Sequence, residues 1–346
     1  MPSPLPTRLL GRTPFELTRV GLGAWAIGGG GYQGSWGPQD DDESIATIHR
    51  AVADGGVNWI DTAAAYGLGH SEQVVGRAVA ALRPEERPLV FTKCGLVWGE
   101  GTTFTNVLAP DSIRRECDAS QRRLGLDHVD VYFMHWPSWD GTPVEESWAA
   151  MAELVDEGKV RAIGLSNFDL ADVARCHAVR PVDVLQPELN LLSREAAGER
   201  LRWAAQNGAG VVTYSPMASG LLTGSFNADG LERLAGDDWR RGHPNFQQPA
   251  FGRNLELVER LRAIADDVGC TLAELAVAWV LAWPAVTGAI VGARTPGEVD
   301  GWIGAAYVEL GEDVLAAIAA ALEELEVGTG PRKPEPPREQ GFPRWS

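Results

Sequence analysis

A chain of 346 residues with 45% apolar side chains and a formal charge of −17 can build a large core, and its negative mean field repels phosphate backbones and anionic lipid surfaces. Nucleic acid and membranes are therefore poor partners, although one local basic pocket could still take a phosphorylated ligand. The length suits an α/β barrel of about 250 residues plus insertions.

Cys94, Cys117, Cys176 and Cys270 have no CxxC spacing and read as reduced packing residues of a cytoplasmic protein. Met1-Pro2-Ser3-Pro4 lacks the basic-then-apolar pattern of a signal peptide. No uncharged apolar run approaches the roughly 18 residues that cross a bilayer.

In chain order, residues 9–13 and 15–18 flank a glycine turn and predict a hairpin at about 8–18, ahead of a first core strand at 19–25. Gly28 to Gly31 make a mobile loop. Ile45, Ile48 and Val52 recur at helical spacing up to Gly55-Gly56. Residues 56–60 form a short apolar strand closed by Asp61, with Tyr66 on the loop beyond. Val75, Ala78 and Leu82 mark the next helix, which leads into a strand at 88–92 ending in Lys93. Pro110 opens a helix carrying Ile113, Cys117 and Leu124 on one face, followed by an apolar strand, Val129–Met134, ending in His135. Val144, Trp148, Met151 and Val155 give another helix, stopped at Gly158.

Further strands are expected at 160–165, 182–186, 210–214 and 286–291. The polar, Gly/Pro-containing stretch 225–253 interrupts the repeat and reads as a lid or binding loop. Two helices follow it, one through Leu257, Leu261, Ile264 and Val268, the other over 272–283, and a last helix covers about 313–325. The tail 328–346 is rich in proline and charge and is expected to be flexible or laid over the surface. Eight strands each followed by helix predict a (β/α)8 TIM barrel, one domain over 1–327.

Three successive strands thus deliver Asp61, Lys93 and His135 at their C-terminal ends. Parallel neighbours lie about 4.8 Å apart, so the three would meet at one rim with Tyr66 leaning in. A buried carboxylate needs a partner, which Lys93 supplies. A tyrosine of ordinary pKa near 10 is made more acidic by a nearby ammonium. Tyr66 then suits a general acid, with His135 donating to the same substrate oxygen.

Singly, each residue has a bland reading: a core histidine, or an aspartate capping a helix. Together they favour carbonyl reduction, with the hydride coming from elsewhere.

At these residues the chain resembles the aldo-keto reductases. Asp61-Thr62-Ala63-Ala64-Ala65-Tyr66-Gly67, Thr92-Lys93 and His135 are similar to that family's catalytic tetrad. Residues 158–168, Gln186-Pro187-Glu188-Leu189-Asn190 and residues 214–224 are similar to further family blocks, in the right order from about Arg8 to Ala306. The resemblance implies a (β/α)8 barrel with a nicotinamide cofactor. It assigns Ser166, Asn167 and Gln186 to the carboxamide, Tyr214 to the ring face, and Ser215, Pro216, Met217, Ser219, Gly220 and Leu221 to the pyrophosphate. Trp25 and Gly292 join this cofactor set.

The last block departs from the family's pattern. Val291-Gly292-Ala293-Arg294-Thr295 keeps one cation, and Glu298 and Trp302 stand where Gln and Asn are common. Arg294 suits the 2′-phosphate of NADP(H), which is favoured. Glu298 would repel that phosphate and suit the free ribose of NAD(H). Trp302 either stacks on adenine or packs the helix. Trp98 and Trp136, with Trp25, would wall an apolar or sugar-stacking substrate pocket beside Glu100 and Asp140, or else simply cover the barrel mouth.

The expected function is oxidoreduction of an aldehyde, ketone or sugar carbonyl. The alternative is a nicotinamide-sensing binding protein, as the potassium-channel β subunits resemble reductases too. A metal-dependent hydrolase is disfavoured, because none of the six histidines forms an HxH or HxxxH pair. Homo-oligomerisation stays open.

Overall fold

The protein is described by a computed structural model covering residues 4–227 and 229–334. Met1 to Ser3, part of the segment read as lacking a signal peptide, and tail residues 335–346 lie outside the described residues.

Eight parallel strands close into a barrel. They are β1 (Val20–Gly23), β2 (Trp59–Asp61), β3 (Leu89–Cys94), β4 (Val129–Met134), β5 (Val160–Ser166), β6 (Val184–Gln186), β7 (Gly210–Thr213) and β8 (Gly288–Gly292). Each pairs with its neighbour in sequence, and β8 returns to β1 with Ala289 opposite Val20 and Gly292 opposite Gly23.

The connecting helices are α1 (Asp41–His49), α2 (His70–Ala80), α3 (Pro110–Leu124), α4 (Val144–Asp156), α5 (Leu170–Val179) and α6 (Glu199–Asn207), then α7 (Ala250–Val268), α8 (Leu272–Leu281), α9 (Pro296–Asp300) and α10 (Glu312–Glu324). Their ends follow local chemistry. Asp40 caps α1 by accepting from Glu43 N–H at 2.9 Å, and α8 opens on a reciprocal Thr271–Glu274 capping box. The α3 helix begins at Pro110 and stops at Gly125, which takes a left-handed φ of 67°.

Two differences from the expected elements matter for the site. The first helix loosens after His49 into a π-type turn over Arg50–Asp54. Lys93 lies within β3 rather than after it, because the strand runs on to Cys94.

The N-terminal end of the barrel is stoppered. The hairpin pairs Thr7–Leu9 with Glu16–Thr18, and its Leu10, Phe15 and Leu17 join Trp59, Phe91, Val131 and Phe133 in one buried cluster. Gly11 permits this approach: a Cβ there would sit 2.2 Å from Gly210 N. Inside the barrel, a Cβ on Gly21 would strike the Trp59 ring at 2.1 Å, so that glycine makes room for the indole. Trp59 Nε1 donates to Thr18 O at 2.9 Å.

At the other end of the chain, the start of the tail lies on the surface. Arg194 N–H donates to Thr329 O at 2.9 Å, and Lys333 pairs with Glu312.

Candidate active site

Asp61 ends β2, Lys93 sits in β3 and His135 follows β4; all three are buried at the C-terminal mouth. Lys93 Nζ pairs with Asp61 Oδ1, donates to Thr62 O at 2.8 Å and lies 3.3 Å from the Tyr66 hydroxyl. Gln186, at the end of β6, donates from Nε2 to Asp61 Oδ2 at 2.7 Å. The Tyr66 and His135 rings meet edge-on at 5.8 Å.

Tyr66 is placed by a tight turn. Ser71 N–H donates to Tyr66 O at 3.1 Å, and Thr62 Oγ1 and Ser71 Oγ lie 2.9 Å apart. Gly67 has a φ of 63°, and a Cβ there would sit 2.2 Å from Gly28 O. The glycine-rich loop is thus packed directly on the Tyr66 turn.

The electrostatics follow burial. Burial pushes Asp61 up and Lys93 down, and their pairing opposes both shifts. Burial, helped by the Asp61 charge, holds the Tyr66 phenol well above its ordinary value. The expected acidification by Lys93 is therefore outweighed, because Asp61 neutralises that ammonium and burial penalises the phenolate. Burial and then Lys93 push His135 well below its ordinary value, so its imidazole is neutral at pH 7.

Tyr66, Asp61 and His135 open onto a cavity of about 990 Å³, at the large end of small-molecule sites. Lys93 sits behind Tyr66 and is not among the lining residues. Ser166, Asn167 and Gln186 stand together on the wall. Asn167 Nδ2 donates to His135 O at 3.0 Å, and the Tyr214 hydroxyl donates to Asn167 Oδ1 at 2.7 Å.

Beyond Tyr214, the backbone at Ser215, Ala218, Ser219 and Gly220 takes positive φ. Ser215, Pro216, Met217, Ser219 and Gly220 all line the cavity. Leu221 does not; it is fully buried, its side chain drawn into the core beneath the turn. Gly292, Arg294, Glu298 and Trp302 line the far end. There the Arg294 guanidinium donates to Gln39 Oε1 at 2.8 Å, to Trp36 O at 3.4 Å and to Pro38 O. Glu298 Oε2 accepts from Arg294 N–H at 2.7 Å.

Of the tryptophans read as substrate contacts, Trp136 lines the cavity and Trp98 does not. Trp98 faces Phe104 at 6.4 Å and Arg123 at 6.0 Å. It lies in the loop of a small hairpin, Leu96–Val97 paired with Thr105–Asn106, of which Leu96, Phe104 and Asn106 line the cavity. Glu100 is not among the lining residues. Asp140 is committed to its own loop, accepting from Leu108 N–H at 3.0 Å and Ser138 Oγ at 2.8 Å.

Ser225, Phe226 and Arg240 of the stretch 225–253 line the cavity. Trp239 stacks on Trp25 at 5.2 Å, and Trp25 in turn stacks on Tyr66 at 6.0 Å. Arg240 lies 4.4 Å from the Trp36 ring centre. Asp237 Oδ2 accepts from Gly31 N–H and Ser35 Oγ, each at 3.0 Å. The long insertion and the glycine-rich loop are one latch. The sequence reading missed Tyr32, Trp36, Phe104, Trp139 and Arg240 as lining residues; aromatics set in polar loops were the available signal.

The aldo/keto reductase family model matches residues 19–323. The chain belongs to the aldo-keto reductase family. It is similar to the aldo-keto reductase YhdN of Bacillus subtilis, 38% identical over 84% of this chain and 87% of that protein. It is also similar to an NADH-specific methylglyoxal reductase of Escherichia coli, 35% identical over 92% and 98%. Among solved structures, the glycerol dehydrogenase AKR11B4 of Gluconobacter oxydans matches with a TM-score of 0.84 and 36% identity, covering 97% of this chain and 99% of that one.

This aldo-keto reductase is an NAD(P)H-dependent enzyme of carbonyl reduction. Its cavity fits such a group on its own chemistry. Ser215, Ser219 and Gly220 bring backbone of positive φ to the cavity wall, the kind of conformation from which anion-binding concavities are made, and the buried Trp36 and Trp302 Nε1 atoms have no hydrogen-bond partner among the described residues. No helix among the described residues is long and apolar enough to cross a membrane.

Proposed function

We propose that Tyr66 is the proton donor for reduction of an aldehyde, ketone or sugar carbonyl. The observation that carries this is the 3.3 Å approach of Lys93 Nζ to its hydroxyl. When bound, the nicotinamide supplies the hydride. Tyr66 holds the proton and releases it to the developing alkoxide as Lys93 stabilises the phenolate left behind. Asp61 keeps Lys93 charged and in place, and Gln186 fixes the second Asp61 oxygen. Neutral His135 donates a hydrogen bond to the same oxygen and orients the carbonyl.

Ser166, Asn167 and Gln186 hold the carboxamide, Tyr214 lies against the ring, and residues 215–220 with Trp25 and Gly292 enclose the pyrophosphate. NADP(H) is the proposed dinucleotide, on Arg294. One observation favours NAD(H) instead: Glu298 faces the same end of the cavity and already accepts from Arg294 N–H. Trp136 contacts the substrate. Residues 1–327 act as one barrel domain in the cytoplasm.

Tyr66→Phe is the test. Turnover of a panel including methylglyoxal, glyceraldehyde and aldoses should be abolished while cofactor affinity is kept; retained turnover removes Tyr66 from the mechanism. Fluorescence titration with NADPH and NADH, repeated on Arg294→Ala, decides the dinucleotide. Tighter NADH binding that is insensitive to the substitution overturns the NADP(H) assignment.

A further inference from the structure

Trp139 is 84% exposed, the most open large apolar side chain among the described residues, and Trp136 beside it is 42% exposed. A lone exposed apolar side chain is ordinary, but these two tryptophans share one loop beside the cavity. Here the loop is braced. Asp140 accepts from Ser138 Oγ at 2.8 Å, Thr142 N–H at 2.9 Å and Leu108 N–H at 3.0 Å. Trp139 N–H donates to Asn106 O at 3.4 Å, and Asn106 Nδ2 donates to Pro137 O at 3.0 Å. The indole is presented on a loop tied to the neighbouring hairpin.

Both tryptophans line the same cavity as Tyr66 and His135, so the aromatic shelf continues outward from the reaction centre. Asp140, the carboxylate next to the shelf, is engaged by its own loop and is not among the residues lining the cavity. Ring faces are what the shelf offers, and aromatic rings stack on them favourably.

We propose that Trp139, together with Trp136, forms an outer subsite that stacks an aromatic ring carried a few bonds from the substrate carbonyl. This inference rests on the carbonyl-reduction reading and names the substrate class within it. The ring adds affinity without touching the reacting atoms, so its loss appears in KM and leaves kcat alone.

The test compares propanal with 3-phenylpropanal, matched at the carbonyl, in the full chain and its Trp139→Ala and Trp139→Phe variants. Trp139→Ala should raise KM for 3-phenylpropanal about five- to tenfold with kcat unchanged and propanal unaffected, and Trp139→Phe should restore most of the loss. Equal effects on both aldehydes, or no effect on either, overturn the subsite. So does a larger effect on an aldose than on 3-phenylpropanal. Calorimetric titration of 3-phenylpropan-1-ol against propan-1-ol gives a second readout that needs no turnover. Silence toward both aldehydes with Trp139-dependent binding of the phenyl alcohol defeats the reductase reading and keeps the subsite. A change of oligomeric state in Trp139→Ala, measured by light scattering, assigns the indole to contact between copies and overturns the proposal.

Discussion

Lys93 Nζ stands between two oxygens of opposite character, paired with the Asp61 carboxylate on one side and 3.3 Å from the Tyr66 hydroxyl on the other. Removing one member of such a buried pair strands the other. Lys93→Met should cost about 3–5 kcal/mol of stability by leaving Asp61 uncompensated, and lower kcat by about 10²–10⁴. The double variant Asp61→Asn/Lys93→Met should recover most of the stability and none of the activity. Chemical denaturation alongside steady-state kinetics measures both, and recovery of activity in the double variant contradicts the role given to Lys93.

The pH profile follows from two shifts. The proposed mechanism needs Tyr66 protonated, and its phenol is held above the ordinary 10.0, so the proposed donor persists as pH rises to that value. The same proposal uses neutral His135, whose pKa lies well below the ordinary 6.5, so the imidazole stays neutral down through that value. The rate of reduction at saturation should therefore be level between pH 6.5 and 10.0. A midpoint inside this window, abolished by His135→Asn, would show that His135 titrates there.

The latch predicts a kinetic effect away from the chemistry. Asp237 joins the insertion to the glycine-rich loop through Gly31 and Ser35. Each such bond contributes about 0.5–1.5 kcal/mol, so Asp237→Ala should speed cofactor dissociation roughly two- to tenfold. Stopped-flow fluorescence reads this directly. An unaltered dissociation rate means that the insertion does not hold the cofactor in.

Glu116 carries a stability prediction. It accepts from Gly95 N–H at 2.8 Å and from Ser112 Oγ at 3.0 Å, and burial pushes its carboxyl from 4.5 up to about 7. The folded state therefore holds this proton more tightly than the unfolded chain. The contribution is fully present below pH 4.5 and is lost as pH rises through about 7, amounting to ~3 kcal/mol at most. Glu116→Gln should raise Tm at pH 8 and leave it nearly unchanged at pH 4. Parallel melting curves for the two proteins would refute the assignment.

The rim was readable because each apolar strand run ends on one polar residue, and parallel pairing leaves such residues nowhere to go but together. Asp61, Lys93 and His135 needed no more than that. The barrel count was readable for the same reason of periodicity. The facing of Trp98 was not, since it lies in the loop between the two short strands of a hairpin, where no alternation of faces directs the side chain. The contacts of Trp25 with Trp239 and of Arg240 with Trp36 join segments some two hundred residues apart and leave no local pattern. The position of Tyr66 beside Lys93 was legible while the direction of its shift was not, because burial depends on what covers the phenol and not on its neighbours in sequence.

The stopper of Leu10, Phe15 and Leu17 has a consequence for proton traffic. The cluster that fills the barrel floor is hydrocarbon, a poor medium for a file of water. On the mechanism proposed for Tyr66, the proton that reloads the phenol arrives from the cavity that Tyr66 lines together with Trp25, so reprotonation and ligand exchange would share one path.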